Sequence, residues 1–288
     1  MPRSPLWPLY QTLGAISTTV GDWELPLHFG DPMAEYDLLR HGVGLCDLSE
    51  RGLVRVTGKD RVRFLHAMVS NDTKSLRAGQ GCYATFLNVK GHLVADFVVY
   101  AEEESYLLEM EPQVVRPFLE AIEFFVFSED VLFTEETGAW GLLGLQGARA
   151  ADLLALVCGQ EVPEMPLYAR VSCDLAGQTV LVARRPYTAE EGYQLLMRPE
   201  QLPAVWQALW QHRESCGAGA MGRAALEMAR IEAGIPLFGR DMSTETLPVE
   251  ANLEAALSYT KGCYIGQEVI ARLEARGHVN RKLVGLLL

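Results

Sequence analysis

One cysteine stands in a stretch of sequence whose composition could make its sulfur reactive. Cys263 lies within Lys261–Glu268, which reads Lys-Gly-Cys-Tyr-Ile-Gly-Gln-Glu. A thiol reacts chiefly as the thiolate, and a nearby cation such as Lys261 can stabilise that charge. Gly262 and Gly266 would let the backbone turn sharply and direct the sulfur towards a cavity. Burial as a small apolar side chain is the alternative, and the residue order around the cysteine favours the reactive interpretation.

A carboxylate within an apolar strand is the second group that could do chemistry. Asp96 lies in the run Leu93–Tyr100, whose other residues are almost all apolar. A carboxylate there must be paired, face a cavity or have a raised pKa. Facing a cavity, it could accept a proton from a bound ligand. Exposure on the solvent side of the strand is the alternative.

Further candidates lie in the second half of the chain. Tyr187 begins a predicted turn, and Gln194 follows it in a predicted strand. A glutamine offers one acceptor oxygen and one amide donor, so Gln194 could bind a polar ligand edge or be an ordinary strand residue. Arg230 precedes Gly234, a residue type that commonly ends helices. Its guanidinium could pair with Glu232 or with an anionic ligand.

The residue pattern predicts strands and helices in two blocks that would position these side chains. A short helix at 34–40 comes first, and the first block then has a strand at 52–58, a helix from Asp60 that ends before Asn71, strands at 83–88 and 93–100, and a helix at 114–125. The second block has a strand at 142–145, a helix at 148–156, strands at 180–183 and 193–197, and helices at 202–210 and 220–232. The similar order of elements in both blocks indicates a duplicated unit in an α+β fold.

Composition and charge narrow the classes of function. The chain has 288 residues, 49% of them hydrophobic and 22% charged, as in ordinary globular enzymes. Its formal net charge is −12, whereas a protein that binds nucleic acid directly usually needs a basic surface. No apolar run approaches the roughly 20 residues of a membrane span. We therefore expect neither direct nucleic-acid binding nor a membrane partner.

The spacing of cysteines and histidines predicts no metal site. The six cysteines are irregularly spaced and include no Cys-x-x-Cys, which also gives no reason to expect a disulfide framework. The histidines form no pair at the short spacings typical of zinc ligands. Free thiols suit a reducing compartment, and the N-terminal residues lack the apolar core of a signal peptide. These features predict a cytoplasmic protein.

The cysteine segment resembles the signature of the YgfZ family of folate-binding iron–sulfur cluster assembly factors. Residues 230–236 and 247–250 are also similar to that family's approach to its signature. The resemblance implies tetrahydrofolate as cofactor, Cys263 as key thiol, and iron–sulfur proteins or their assembly factors as partners, with an indirect effect on tRNA modification. Because a cluster takes about four ligands, one thiol could handle it only transiently, with a partner or glutathione.

A wider resemblance, to the glycine-cleavage aminomethyltransferases, covers nearly the whole chain. It rests on Gly42–Ser49, Ser70-Asn71-Asp72, Leu145-Gln146-Gly147 and Tyr187–Tyr193. The family folds as three domains in a ring around tetrahydrofolate, the last a small β-barrel. The resemblance implies that the folate contacts include Asn71, Tyr187, Gln194, Arg230, Lys261 and Tyr264.

This resemblance also gives Asp96 a role, as the match to the family's folate-proximal carboxylate. Gln194 falls where the family has a glutamate that grips the pteridine, and the exchange should cost about 1.5–3 kcal/mol of binding. Leu226 replaces the first of two arginines in the family's pattern, which leaves Arg230. Residues 49–52 read Ser-Glu-Arg-Gly where the family has Ser-His-Met-Gly.

From these matches we expect an aminomethyltransferase-like folate-binding fold, with two related α+β units in a ring. Residues 1–138 would form the N-terminal folate-binding unit, with 1–50 partly shared with the central unit, and 139–240 the second unit. Residues 241–281 would carry the signature. Residues 282–288 would open a C-terminal β-barrel strand, whose unpaired apolar edge leads us to expect a truncated barrel.

Three functions remain open at this point. The leading one is a tetrahydrofolate-binding accessory protein for iron–sulfur cluster assembly or repair, centred on Cys263. The first alternative is a tetrahydrofolate-dependent aminomethyltransferase or demethylase in which Asp96 handles the proton. The second is a non-catalytic docking module that kept the fold and lost the ligand, as Gln194 and Leu226 would allow. Whether the chain is an enzyme stays undecided.

Overall fold

A computed structural model describes residues 1–286 of the chain. Contacts between Cα atoms divide it into two compact units, and each unit is discontinuous in sequence. The first unit comprises Met1–Glu50 and Gly138–Ile235, and the second comprises Arg51–Thr137 and the residues from Pro236 onward. Both mix helices and strands, which confirms the predicted α+β class. The predicted ring arrangement and the bounds predicted at 138 and 240 stay predictions.

The strands and helices are numbered in chain order. The strands are β1 Ile16–Val20, β2 Trp23–His28, β3 Val43–Asp47, β4 Gly52–Thr57, β5 Gly81–Leu87, β6 Leu93–Ala101, β7 Tyr106–Met110, β8 Leu132–Glu135, β9 Gly141–Gln146, β10 Arg170–Leu175, β11 Gln178–Arg184, β12 Gly192–Met197 and β13 Ala218–Ala220. The helices are α1 Trp7–Thr12, α2 Pro32–His41, α3 Arg61–Met68, α4 Pro112–Glu123, α5 Ala150–Cys158, α6 Leu202–Gln211, α7 Arg213–Cys216, α8 Arg223–Glu232 and α9 Gln267–Arg276. Short 3₁₀ helices span Pro199–Gln201, Pro248–Ala251 and Glu254–Ala256.

The first unit is built on a sheet in the order β10-β11-β12-β9-β3-β13. Its strands pair antiparallel, except that β13 runs parallel to β3. Alternate residues of a strand face opposite sides of the sheet. In β12, Tyr193, Leu195 and Met197 face a core that also contains residues of α5 and α6. Gln194 therefore lies on the opposite face of the sheet.

The second unit has an antiparallel sheet in the order β5-β6-β7-β4-β8. Residues of α3 and α4 complete a core with one face of this sheet. In β6, Ala95, Phe97 and Val99 belong to that core, so the alternation places Asp96 on the other face. The register pairs Thr85 of β5 with Asp96.

A smaller apolar cluster holds the residues after Pro236 on the β5–β6 hairpin. It includes Leu87 and Leu93 of the hairpin together with Leu253, Tyr264 and Ile270. Helix α9 begins after Gly266, whose φ is +79°. A Cβ built at that glycine would lie 2.6 Å from the carbonyl oxygen of Asn88. The close approach and the positive φ explain why the signature needs glycine here.

Most predicted elements are present, with bounds shifted by a few residues. Exceptions have physical reasons. Asp60 does not cap α3, since its carboxylate instead accepts a hydrogen bond from the backbone N–H of Asp130, at 2.9 Å. Of the predicted strand at 282–288, residues 282–286 have no strand conformation, and 287 and 288 lie outside the described residues. The sequence pattern does not predict strands β1, β2, β3, β7, β8, β10 and β13 or helices α1, α7 and α9.

Within residues 1–286, no helix is both long enough and apolar enough to cross a bilayer.

Substituting Gly266 tests the packing of the signature on the hairpin. We expect Gly266→Ala to lower the free energy of unfolding by at least about 1–2 kcal/mol, because alanine disfavours positive φ and its methyl group would meet the Asn88 carbonyl. Urea denaturation measures the change. Gly262→Ala is the matched control, since no atom lies within 4 Å of a Cβ at that position. Equal stability of the two variants would contradict the packing described.

Candidate functional site

Asp96 is hydrogen bonded to a tyrosine on the non-core face of the second unit's sheet. The hydroxyl of Tyr83 donates to Asp96 Oδ2 at 2.7 Å. Tyr83 pairs directly with Val98, so it is a diagonal neighbour of Asp96, within reach of a long side chain. Asp96 is half-buried. The carboxylate is thus held in one orientation by a phenol, unlike an exposed strand residue, and an oriented carboxylate can act as a proton acceptor.

Asn71, predicted to contact folate, has both ends of its amide engaged with the protein. Its Nδ2 donates to the carbonyl oxygens of Tyr83, at 2.8 Å, and Ala255, at 3.2 Å, and its Oδ1 accepts from the N–H of Asp72 at 2.8 Å. The amide therefore connects the loop after α3, strand β5 and the 3₁₀ helix Glu254–Ala256. The structure assigns Asn71 a positioning role, because it fixes the backbone of the tyrosine that orients Asp96.

Two hydroxyls reinforce this connection. Ser70 Oγ donates to the carbonyl oxygen of Ala256 at 2.6 Å, and Thr85 Oγ1 donates to Ser70 Oγ at 2.8 Å. The backbone N–H of Ser258 donates to the carbonyl oxygen of Ser70 at 2.9 Å. Ser70 and Thr85 are fully buried, so breaking these bonds would leave unsatisfied polar groups at a cost of about 1–3 kcal/mol each.

Lys261 directs its ammonium group at the end of α3. Its Nζ donates to the backbone carbonyl oxygens of His66, Val69 and, at 3.2 Å, Asn71. An ammonium group has three hydrogens, and a helix end has unpaired carbonyls and a partial negative charge. All three hydrogens of the ammonium group are therefore donated to backbone carbonyl oxygens of the protein. The ammonium group of Lys261 thus anchors the loop. Its predicted contact with folate and its predicted stabilisation of a thiolate stay predictions.

Burial affects the protonation of two groups near the end of α3, Lys261 and His66. Burial lowers the pKa of Lys261 to about 8, against the opposing effects of the Asp72 carboxylate and Cys82. The lysine is thus largely charged at neutral pH and able to make its three bonds. Burial, together with the Lys261 charge, also lowers the pKa of His66.

Cys263 and Tyr264 have opposite environments. The Cys263 side chain is exposed, so its burial as a small apolar residue does not occur. Tyr264 is buried in the apolar cluster after Pro236, its ring centre lies 5.2 Å from Lys261 Nζ, and burial raises its pKa to about 12. The buried Tyr264 ring fixes the backbone next to an accessible sulfur. Its predicted contact with folate stays a prediction.

In the first unit the structure brings together the two residues predicted to line a pteridine slot. Gln194 Nε2 donates to the Tyr187 hydroxyl at 2.9 Å, and Gln194 is 3% exposed. Gln146, which is fully buried, accepts from the backbone N–H of Tyr187 at 2.8 Å and donates to the carbonyl oxygen of Arg185 at 3.1 Å. Sequence reasoning gave Gln146 no role, although its place in the Leu-Gln-Gly match was a signal.

Ion pairs hold the turn that carries Tyr187. Arg184 binds both carboxylate oxygens of Glu191, at 2.9 and 3.0 Å. Arg40 of α2 binds Glu190 at 2.6 Å. The guanidinium of Arg185 lies 4.7 Å from the centre of the Tyr187 ring. The turn is therefore tied to its own strand pair and to a helix, which limits where the Tyr187 hydroxyl can lie.

Arg230 forms a structural ion pair with a partner that differs from the predicted one. It donates to both oxygens of Glu227, at 3.0 and 2.7 Å, and to the carbonyl oxygen of Ile235. The predicted partner, Glu232, instead pairs with Arg40 at 2.5 Å. Residues three apart on a helix are neighbours, which explains why Arg230 pairs with Glu227. A contact of Arg230 with folate stays a prediction.

Comparisons with known proteins place the chain in a family. The model of the GCVT N-terminal domain matches residues 6–261. The chain belongs to this family. It is 31% identical to an aminomethyltransferase of Bacillus pumilus over 287 residues, which cover 99% of this chain and 78% of the relative. It is 32% identical to an aminomethyltransferase of Anoxybacillus flavithermus over 288 residues, with the same two coverages.

A solved structure supports the fold of this GCVT-family chain. The glycine cleavage system aminomethyltransferase T from Bartonella henselae superimposes with a TM-score of 0.84 over 96% of this chain and 75% of that chain, at 24% sequence identity. The aminomethyltransferase-like fold predicted from the sequence is thereby confirmed. The relatives compared above are named aminomethyltransferases and carry no YgfZ designation.

The predicted site residues of this GCVT-family chain belong to both units. Asn71, Asp96 and the signature residues Lys261, Cys263 and Tyr264 belong to the second unit, whereas Tyr187, Gln194 and Arg230 belong to the first. Tyr83, which sequence reasoning missed, is the direct partner of Asp96. The sequence offered one signal for this contact: Tyr83 lies two residues before Thr85, on the strand that pairs with β6. Within residues 1–286, no three His, Cys, Asp or Glu side chains are grouped so that they could hold a metal ion.

Removing the Lys261 ammonium tests the anchoring of the signature loop. We expect Lys261→Met to lower the free energy of unfolding by about 1–3 kcal/mol, since it leaves carbonyls at the end of α3 without their donor. Chemical denaturation measures this. Lys59→Met is the control, because the Lys59 side chain is 78% exposed and lies 3.6 Å from Asp130, a surface pair of little energetic weight. Similar losses in both variants would contradict the anchoring role.

Proposed function

We propose that this chain binds tetrahydrofolate and transfers a one-carbon unit to it, in the manner of an aminomethyltransferase. The observation that carries the proposal is the Asp96 carboxylate, oriented by the Tyr83 hydroxyl at 2.7 Å in a chain of the GCVT family. Named aminomethyltransferases among the relatives favour this function over an iron–sulfur role. Folate as cofactor, which the sequence resemblance implied, is part of the proposal.

Asp96 supplies the proton chemistry in this proposal. When bound, tetrahydrofolate offers an amine nitrogen that takes up the one-carbon unit. As that nitrogen takes up the one-carbon unit and the unit's bond to the donor's amine breaks, Asp96 would accept the proton that the nitrogen releases. The departing amine must gain a proton, and the protonated Asp96 can return one. Tyr83 keeps the reacting carboxylate oxygen in place through its hydrogen bond.

The first unit's Tyr187 and Gln194 are proposed to bind the pterin. An amide oxygen can accept one N–H bond from the aminopyrimidine edge, whereas a carboxylate can accept two, and its bonds are charge-assisted. Gln194 donates to the Tyr187 hydroxyl, so its amide is already oriented. We expect binding that is weaker than a glutamate would give.

Replacing Asp96 tests the proton-handling role. We expect Asp96→Asn to reduce one-carbon transfer to tetrahydrofolate by roughly 10²-fold or more, the size typical of a lost general acid–base group. The assay supplies an aminomethyl donor and measures the methylene adduct of tetrahydrofolate. Asp130→Asn, which changes a largely exposed aspartate, is the matched control. Full activity of Asp96→Asn, or no transfer by the unsubstituted chain, would refute the proposal.

Restoring a carboxylate at position 194 tests the pterin contact. We expect Gln194→Glu to tighten tetrahydrofolate binding by roughly 10-fold or more, as the gain of about 1.5–3 kcal/mol implies. Titration calorimetry measures the dissociation constant, and Gln211→Glu on the exposed side of α6 is the control. Unchanged affinity in a folded Gln194→Glu protein would exclude Gln194 from the pterin contact.

The iron–sulfur accessory function of the YgfZ type is the second candidate. One observation favours it, namely that the Cys263 thiol is exposed while Tyr264 beside it is buried. A strain lacking the native protein would be complemented with Cys263→Ala, and with Cys82→Ala as control. Loss of iron–sulfur enzyme activity only with Cys263→Ala would support this function. Full restoration of that activity by Cys263→Ala would refute it. The cytoplasmic location expected from the sequence stays a prediction.

A docking module without a ligand is distinguished from both by binding alone. If the folded chain bound no tetrahydrofolate even at high ligand concentration, neither folate-dependent function would stand. The module would then have kept the family's fold with Gln194 and Leu226 as marks of a lost ligand.

A further inference from the structure

Two cysteines far from the signature are brought into contact in the first unit. Cys158 is the last residue of α5, and Cys173 lies in β10, the strand at one edge of the sheet. Helix α5 contacts β10, both cysteines pack against the same core, and Cys173 is the thiol that interacts with Cys158. Neither residue belongs to the proposed folate or proton chemistry.

The positions of the two elements explain this contact. Cys158 lies one turn after the buried Leu154 of α5, so both side chains face the core. In β10, Cys173 shares a face with the buried Leu175, because alternate residues of a strand point the same way. Both cysteines pack against the core of the first unit and remain partly exposed. Helix α5 thus places its last side chain over the edge strand.

The chain between the two cysteines leaves room for a bond to form. Gly159, in a left-handed conformation with φ +67°, ends α5. Residues 160–169 form neither helix nor strand before β10 begins. A disulfide needs its sulfurs about 2.05 Å apart, closer than two thiols in contact. The last turn of a helix and an irregular segment can supply that small movement.

We propose that Cys158 and Cys173 form a redox-active dithiol, which a low-molecular-weight disulfide such as oxidised glutathione converts to an intramolecular disulfide. In the first step one protein thiolate attacks the reagent, forming a mixed disulfide and releasing one molecule of reduced glutathione. In the second step the other protein thiolate attacks the protein sulfur of the mixed disulfide and releases a second molecule. Two electrons pass from the protein to the reagent, and the protons of both protein thiols end on the two glutathione thiols.

The rate of ring closure should depend on pH. Burial, and then the neighbouring Cys173, raise the pKa of Cys158. Because the thiolate is the nucleophile, we expect ring closure to become faster between pH 7 and pH 9, whichever thiol attacks first.

The bond would close a loop that reaches the Tyr187 turn. Tyr168, near the end of this loop, donates its N–H to the carbonyl oxygen of Arg184 at 2.9 Å. The guanidinium of Arg185 lies 5.4 Å from the Tyr168 ring centre and 4.7 Å from that of Tyr187. Oxidation thus constrains the segment that packs beside the proposed pterin contact. Only this last consequence rests on the proposed function.

Thiol mapping of the full chain tests the proposal. The protein is equilibrated in glutathione buffers of increasing oxidised fraction at pH 8, quenched with acid, alkylated and digested, and its peptides are identified by mass spectrometry. We expect a cross-linked peptide pair containing Cys158 and Cys173, which reduction removes. The Cys158→Ser variant should accumulate glutathione on Cys173, whereas Cys216→Ser, at a buried thiol, should leave the cross-link unchanged.

The exposed Cys263 provides an internal control for the oxidant. If Cys263 is glutathionylated while Cys158 and Cys173 are both recovered alkylated, the dithiol proposal is wrong. A glutathione adduct on Cys173 that persists in the unsubstituted protein at pH 9 would also overturn it, because Cys158 would then fail to resolve the adduct.

Cleavage with a glutamate-specific protease gives a second readout without any substitution. Glu161 and Glu164 are exposed and lie between the two cysteines. After oxidation, fragments cut there should stay joined on a denaturing gel and separate only on reduction. Separation without reductant would count against the disulfide. Tetrahydrofolate affinity measured on the same samples reports on the Tyr187 turn, so a chain without folate binding could still show the disulfide.

Discussion

The attachment of the signature segment to the loop after α3 is the constraint on which the candidate site depends. Lys261 donates hydrogen bonds to backbone carbonyl oxygens at the end of α3. The Asn71 amide donates to the backbone carbonyl oxygens of Tyr83 in β5 and of Ala255. The Lys261 bonds join stretches of chain that are 190 to 195 residues apart in sequence. Because backbone carbonyls at a helix end must find donors, the attachment stabilises the helix and fixes the loop in one step.

The same attachment fixes the orientation of the Asp96 carboxylate, the group proposed to handle the proton. Asn71 holds the backbone of Tyr83, and the Tyr83 hydroxyl holds Asp96. The polar pair lies on the sheet face opposite the apolar core, as strand alternation requires. Asn71, which the resemblance offered as a ligand contact, thus also supports the proposed reacting group, Asp96. Asp96 depends on Asn71 and Tyr83 for its orientation, and Cys263 depends on the buried Tyr264 for its exposed place.

Local patterns predicted much of this structure. The apolar run Leu93–Tyr100 predicted the strand that contains Asp96. The family resemblance grouped Tyr187 with Gln194, and the structure has a hydrogen bond between them. The sequence could not identify the hydrogen-bond partners of Lys261, because they are backbone carbonyl oxygens, which every residue carries. Glu232 is nearer to Arg230 in sequence than Glu227 is, but residues three apart on a helix are neighbours, so Arg230 pairs with Glu227 while Glu232 pairs with Arg40. The two discontinuous units depend on contacts between distant segments, which local patterns do not contain.

The most direct test is a double-mutant cycle on tetrahydrofolate binding. Oxygen-free equilibrium dialysis would give the dissociation constant for the unsubstituted chain, Tyr83→Phe, Asp96→Asn and the double variant. If the hydroxyl acts by orienting the carboxylate, the chain binds one equivalent of tetrahydrofolate, and the two substitutions together weaken binding by less than the sum of their separate free-energy effects. Strictly additive effects, or no saturable binding by the unsubstituted chain, would contradict the account.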